Sequence, residues 1–438
     1  MKINKILFNS YIAVLLFTVN VKAQDLLTLE TATKIALENN YEIKIASNNS
    51  LIQKTNVTIG NAGMLPILTA NVFDNNSVQN SSQLRQDGTK NELDNAVNNN
   101  LTYGIALDWT IFDGLRMFAR RDQLKELQKL GEAQLKLAII TRISDVNAAY
   151  YDLVQQQQQL AALDTTIVIS NQRLQLAQNR FTIGKASKLE VLNAQVDLNT
   201  DQVALLRQKE LYANGKILLN QLLARNVSTD FKVIDELHVD QLLLLDELKT
   251  LAEKQNPQLE TQIISKRVAE LEFKLVKANR YPLIRINSAY NFSESQSSLG
   301  FVAQAQSRGF NYGFTASVNI FDGFNQRRNE KVSSLLVENA KLNIDQQNIT
   351  LNSQLATAYQ TYLTNLELIT LEEKNEAIAK QNLNITLDKF RIGTITTLEF
   401  RTAQLNYVNA KVRYNNAQFQ GKISEIALRE LAGNLLLN

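Results

Sequence analysis

Between residues 101 and 111 the chain alternates strictly. Leu101, Tyr103, Ile105, Leu107, Trp109 and Ile111 fall on one side of an extended backbone; Thr102, Gly104, Ala106, Asp108 and Thr110 fall on the other. Successive side chains of a strand point to opposite faces, so this period predicts a strand with one apolar, aromatic face and one small, polar face. Residues 310–320 repeat the pattern, with Phe310, Tyr312, Phe314, Ala316, Val318 and Ile320 set against Asn311, Gly313, Thr315, Ser317 and Asn319. Weaker alternating runs at about 67–73 and 283–292 provide each with a partner. The Asn- and Ser-rich segment 74–100 and the glycine-bearing segment 293–309 predict exposed loops between the strands of each pair.

Elsewhere the spacing is helical and punctuation is sparse, with three prolines in the whole chain. From Gly114 to about Gln178 there is no proline, and Gly131 is the only interior glycine. From Gly323 to about Leu387 there is neither. Each stretch predicts a helix of roughly 65 residues, about 98 Å long at 1.5 Å per residue. Such a helix needs an equally long partner. Shorter helices at roughly 41–62 and 189–225, and again at 257–278 and 398–432, can stack into one. Apolar residues lie in narrow stripes among Gln, Asn, Ser and Thr, which suits a coiled-coil seam.

The order helix, strand, strand, long helix, turn, helix therefore occurs twice. Ile111-Phe112-Asp113-Gly114 recurs as Ile320-Phe321-Asp322-Gly323. At the same offset, Arg180-Phe181-Thr182-Ile183-Gly184 answers Lys389-Phe390-Arg391-Ile392-Gly393, Tyr150 answers Tyr359, and Gln195 answers Gln404. Pro66 and Asn40 match Pro282 and Asn256 at a slightly larger one. A period of about 200 residues is too long for a solenoid and indicates a duplicated half. The expected organisation is an export signal at 1–23, a first repeat at 24–226, an equatorial connector at 227–244, a second repeat at 245–434 and a tail at 435–438.

Composition adds the compartment. Lys2 and Lys5 precede an apolar run from Ile6 to Val19, and Val21-Lys22-Ala23 offers a cleavage site before Gln24. Cleavage removes three lysines and no acid, which balances the charge of the mature chain and argues against a nucleic-acid partner. There is no cysteine, and His238 is the only histidine. No catalytic, cofactor or metal constellation emerges, so no enzyme activity is expected. Eleven tilted residues match the height of a bilayer core. Four strands cannot close a barrel, and lipid does not tolerate open strand edges. Two copies would give eight strands and a lumen filled by side chains; three would give twelve and leave room for water. A soluble periplasmic coiled-coil scaffold or adaptor is the alternative.

The duplicated Ile-Phe-Asp-Gly exits and Phe-x-Ile-Gly turns make the chain, over about residues 24–434, resemble the TolC-like outer-membrane efflux proteins. That resemblance implies a homotrimer: a twelve-stranded barrel in outer-membrane lipid, continued by an α-helical barrel in the periplasm. It also implies a passive exit duct, opened by a periplasmic adaptor and powered by an inner-membrane pump, in efflux or type I secretion.

The residues suggest roles at the two ends of the long helices. Gly184 and Gly393 are expected to take positive φ, and Phe181 and Phe390 to pack across the helix ends. The resemblance implies that these turns, with Ile183 and Ile392, dock the adaptor. Ser187-x-x-Glu190 and Thr396-x-x-Glu399 fit capping boxes. The resemblance also allows Glu399, and less so Glu190, to ring the entrance as a gate; Thr402 puts a double acidic ring in doubt. Asp113 and Asp322 are expected to cap the long helices.

Overall fold

A computed structural model describes residues 25–298 and 302–435. The expected export signal lies outside them, as does all but the first residue of the expected tail. In chain order the elements are β1 (Asp25–Leu27), α1 (Leu29–Asn39), α2 (Tyr41–Thr55), β2 (Ile67–Leu84), β3 (Lys90–Phe112), α3 (Arg116–Thr182), α4 (Lys188–Leu222), β4 (Phe231–Val233), α5 (Leu245–Gln255), α6 (Pro257–Ala278), β5 (Leu283–Ser297), β6 (Gln304–Ser317), α7 (Asn325–Arg391) and α8 (Thr397–Leu431). The fold is mainly helical with a small β part, and α3 and α7 have 67 residues each. Contacts divide it into two compact units.

One unit comprises Ala46–Lys136 and Pro257–Ile349. It holds an antiparallel four-stranded sheet in the order β2-β3-β5-β6. Register joins the alternating patterns of all four strands. Ala70, Ile105, Tyr290 and Phe310 form one row across the sheet, and Leu68, Leu107, Ser288 and Tyr312 form the next. Tyr103 stacks on its cross-strand partner Phe292, ring centroids 5.0 Å apart. One face is therefore mainly apolar, interrupted by Ser288, and Leu68, Ile105, Tyr290, Phe310 and Tyr312 on it are exposed. On the other face Asn287 Nδ2 donates to Asp108 Oδ2 at 2.7 Å, and Thr315 Oγ1 donates to Asn287 Oδ1 at 3.1 Å. Gly104 is required there, since a Cβ would collide with the Tyr290 carbonyl and Asn291. In the sheet β2 and β6 each pair on one side only.

Several expected boundaries change. Segment 74–100 is not a loop. Pairing continues through it from Asp74↔Leu101 to Leu84↔Lys90, and the reversal is confined to the residues around Gly88 (φ +81°). Polar residues on both faces are compatible with a strand wherever both faces meet water; the backbone ladder supplies the stabilisation. Asp87-Gly88 is a hairpin signature, and Asp87 Oδ1 accepts from Thr89 N at 3.0 Å. Likewise β5 and β6 extend to Ser297 and back to Gln304, while β6 stops at Ser317 rather than 320. The helix expected over 41–62 ends at Thr55, followed by a turn in which Asn61 Nδ2 donates to Asn56 O at 2.9 Å.

The second unit comprises residues to Ile45, Leu137–Asn256 and from Thr350. The segment expected as a connector contains β4, which pairs in parallel with β1. Tyr150 fastens this ribbon to α3: its hydroxyl donates to Leu27 O at 3.0 Å and accepts from Ile234 N at 3.2 Å. Leu27, Ala36, Val146, Leu153, Leu223 and Phe231 bury themselves around it. The repeat is visible in side-chain roles. Asn40 Nδ2 donates to Leu222 O at 2.8 Å, and Asn256 Nδ2 donates to Leu431 O at 2.9 Å.

Candidate functional site

The helix turns between α3 and α4 and between α7 and α8 close in the same way. Lys185 N donates to Arg180 O at 2.8 Å and Gly184 N to Phe181 O at 3.0 Å; Thr394 N donates to Lys389 O at 3.0 Å and Gly393 N to Phe390 O at 3.1 Å. This bond pair needs a left-handed residue, which Gly184 (φ +74°) and Gly393 (φ +80°) provide. Ile183 and Ile392 point outward at the two turns.

The phenylalanines divide. Phe390 is 1% exposed and stacks on Phe400, centroids 5.0 Å apart. Phe181 is 42% exposed, with the Lys188 ammonium 5.5 Å above its ring. The expected packing across the helix ends holds at Phe390 and not at Phe181, because the position matching Phe400 is Val191, which offers no ring.

The glutamates divide as well. Glu399 closes a full capping box: its Oε2 accepts from Thr396 N at 2.8 Å, and Thr396 Oγ1 accepts from Glu399 N at 3.2 Å. At Glu190 only half the box forms, with Ser187 Oγ accepting from its backbone N at 3.4 Å. The Glu190 carboxylate instead accepts from Thr397 Oγ1 and lies 3.6 Å from Arg180 Nη1, which ties the two turns together.

Beyond the turns lies a buried polar cluster that sequence reasoning missed. Arg401 on α8 reaches Asp201 on α4 with both terminal nitrogens, at 2.8 and 2.9 Å. Asp201 also accepts from Ser170 Oγ at 2.5 Å, and Gln404 Nε2 donates to that Oγ at 2.8 Å. Arg173, 1% exposed, pairs with Asp197, while its Nε and Nη1 are buried without a partner. Burial pulls the Arg173 guanidinium below its ordinary value, and Asp197 opposes that pull. The signal was present: Thr166, Ser170, Arg173 and Ala177 follow the 4-3-4 spacing of a seam, and a charge on a seam demands opposite charges on the facing helix. The cluster holds α8 against α3 and α4.

At the other ends of the long helices, the cap candidates are offset. Helices α3 and α7 start at Arg116 and Asn325, so Leu115 and Phe324 occupy the capping positions. Asp322 Oδ2 still accepts from Gln326 N at 2.7 Å. Asp113 Oδ1 is buried without a hydrogen-bond partner. Among the described residues no helix is long and apolar enough to cross a membrane, and no group of acidic or histidine side chains is arranged to hold a metal ion.

With this geometry in hand, comparison places the chain among known proteins. The family model for outer membrane efflux proteins matches residues 33–225 and 248–434, one match per repeat. Protein CyaE of Bordetella pertussis is 22% identical over 367 residues, 81% of this chain and 73% of its own. The fold is that of solved outer-membrane channels. The CmeC channel of Campylobacter jejuni superposes with a TM-score of 0.78 at 16% identity, covering 93% of this chain and 86% of its own. VceC of Vibrio cholerae gives 0.74 at 15% identity, covering 92% and 96%.

Proposed function

The chain belongs to the outer membrane efflux protein family, and from that premise we propose that it is the exit duct of a tripartite efflux or type I secretion system. Three copies each contribute four strands to a twelve-stranded barrel in the outer membrane, and their helices continue the lumen into the periplasm. The duct is passive. A periplasmic adaptor docks at the turns around Gly184 and Gly393 and opens the entrance, and an inner-membrane pump supplies the energy.

The observation that carries this reading is the sheet: four strands, a mainly apolar face, and an unpaired edge at both β2 and β6. Lipid makes each unpaired backbone group cost several kcal/mol, on the order of a lost hydrogen bond in hydrocarbon. Edge-to-edge closure with further copies removes that cost, and the small polar face then lines the lumen.

The test is fractionation followed by planar-bilayer recording of the purified full-length chain. The expected result is a membrane-bound trimer that dissociates on heating in detergent and conducts ions. A water-soluble monomer without conductance would overturn the proposal and favour the scaffold alternative.

A further inference from the structure

Two residues adopt a backbone conformation that their side chains resist. Leu115 has φ +67° and Phe324 has φ +64°. Each directly follows a glycine that is also left-handed, Gly114 or Gly323, and each sits where a membrane strand passes into a long helix. The left-handed region costs an L-residue roughly 1–2 kcal/mol. Neither side chain compensates by burial, since Leu115 is 61% exposed and Phe324 68%. The same strain with the same outward apolar side chain occurs in both repeats.

We propose that Leu115 and Phe324 are membrane anchors that insert into the inner-leaflet surface of the outer membrane, among phospholipid headgroups; this rests on the barrel reading above. Three observations favour lipid as the occupant. In each repeat the residue lies four positions after an exposed isoleucine, Ile111 or Ile320, and Phe324 is flanked by exposed Phe321, ring centroids 5.4 Å apart. Second, the first turns of α3 and α7 carry no acid, and exposed Arg327 and Arg328 stand where a helix dipole disfavours cations. Asp322 caps α7 through Gln326 N, and lipid phosphates would supply counter-ions to the two arginines. Third, a second copy does not explain the pattern, because β3, which leads to Leu115, is an internal strand, whereas β6, which leads to Phe324, is an edge.

The chain contains no cysteine, so Leu115→Cys, Phe324→Cys and a control, Ile105→Cys, can each carry a single spin label. Trimers are reconstituted in liposomes of phosphatidylethanolamine and phosphatidylglycerol, and collisions with oxygen and with a water-soluble nickel chelate are measured. Labels at 115 and 324 should favour oxygen severalfold, at a shallower depth than the label at 105. Nickel access at 115 and 324 overturns the proposal, as does shielding from both reagents, which would mean burial against a second copy. If the label at 105 is itself open to nickel, the barrel reading fails instead. For the phosphate contacts, Arg327→Gln with Arg328→Gln should erase the rise in Tm produced by replacing phosphatidylcholine with phosphatidylglycerol. A rise that persists in the double variant overturns that part.

Discussion

Arg401 forks onto Asp201, Nη1 to Oδ2 at 2.8 Å and Nη2 to Oδ1 at 2.9 Å, and both side chains are buried. Breaking such a pair from one side leaves an uncompensated charge and costs about 3–5 kcal/mol, whereas replacing both sides with apolar groups is often near neutral. Arg401→Met should therefore raise amide hydrogen exchange throughout the first turns of α8. Arg401→Met with Asp201→Leu should restore most of the protection, because Arg173 keeps Asp197 as its partner. Equal loss of protection in the single and double variants would show that the ion pair does not set the local stability.

The left-handed helix ends make a second series. Ala224 and Gly433 are equivalent positions that close the same bond pair, with Arg225 N donating to Asn220 O at 3.1 Å and Asn434 N to Arg429 O at 2.9 Å. Ala224 has φ +50°, so Ala224→Gly should stabilise by about 1 kcal/mol. Gly433→Ala should cost more than that, because its Cβ would press on the Gln255 carbonyl 2.6 Å away. At Gly184 and Gly393 there is open space around a Cβ, so alanine there costs only the backbone strain, about 1 kcal/mol. If the turns dock an adaptor, Gly184→Val and Gly393→Val should abolish transport while heat-sensitive trimers still form. Thermal melts and gel mobility check the first part, and substrate accumulation in cells the second.

Much of this was legible in the residues. The period-2 run at 101–111 and its echo at 310–320 located the sheet and its apolar face, and the duplicated Phe-x-Ile-Gly located both turns. What failed was reasoning by composition. Segment 74–100 reads as a loop because its residues have low strand propensity, yet the ladder from the apolar band carries through them to Asp87-Gly88. The buried cluster was hidden for a different reason. Arg173 and Asp201 lie on different helices, and a polar seam position looks like a solvated one until the facing helix is known. The Tyr150 hydroxyl that joins β1 to β4 is equally non-local, bridging residues 123 positions apart in one bond.

Glu399 offers a third prediction, which separates two roles of one carboxylate. Its capping bonds to Thr396 N and Oγ1, at 2.8 and 3.1 Å, define the start of α8. Glu399→Ala removes them and should destabilise this helix start by about 1 kcal/mol. Glu399→Gln keeps an acceptor for Thr396 N while removing the charge. If three Glu399 carboxylates ring the entrance, both variants should weaken cation selectivity and divalent block in single-channel recordings. If only the cap matters, Glu399→Gln should conduct like the parent.

The last prediction concerns pH. Glu430 on α8 is half-buried, and burial raises its carboxyl above the ordinary glutamate value of 4.5; Asp145 nearby adds to the rise, while a 2.6 Å hydrogen bond from Ser144 Oγ and the charge of Arg142 oppose it. The sign follows from proton counting. Between the ordinary and the raised value the folded chain holds more protons than the unfolded chain, so stability falls as pH rises through this window. Below it both states are protonated and no penalty exists; above it both are ionised and the folded state carries the desolvation cost in full. Glu430→Gln keeps an acceptor for Ser144 and removes the charge. It should raise Tm at neutral pH and leave Tm unchanged under acid conditions, below the ordinary glutamate value. A Tm gain independent of pH would assign the effect to packing rather than to ionisation.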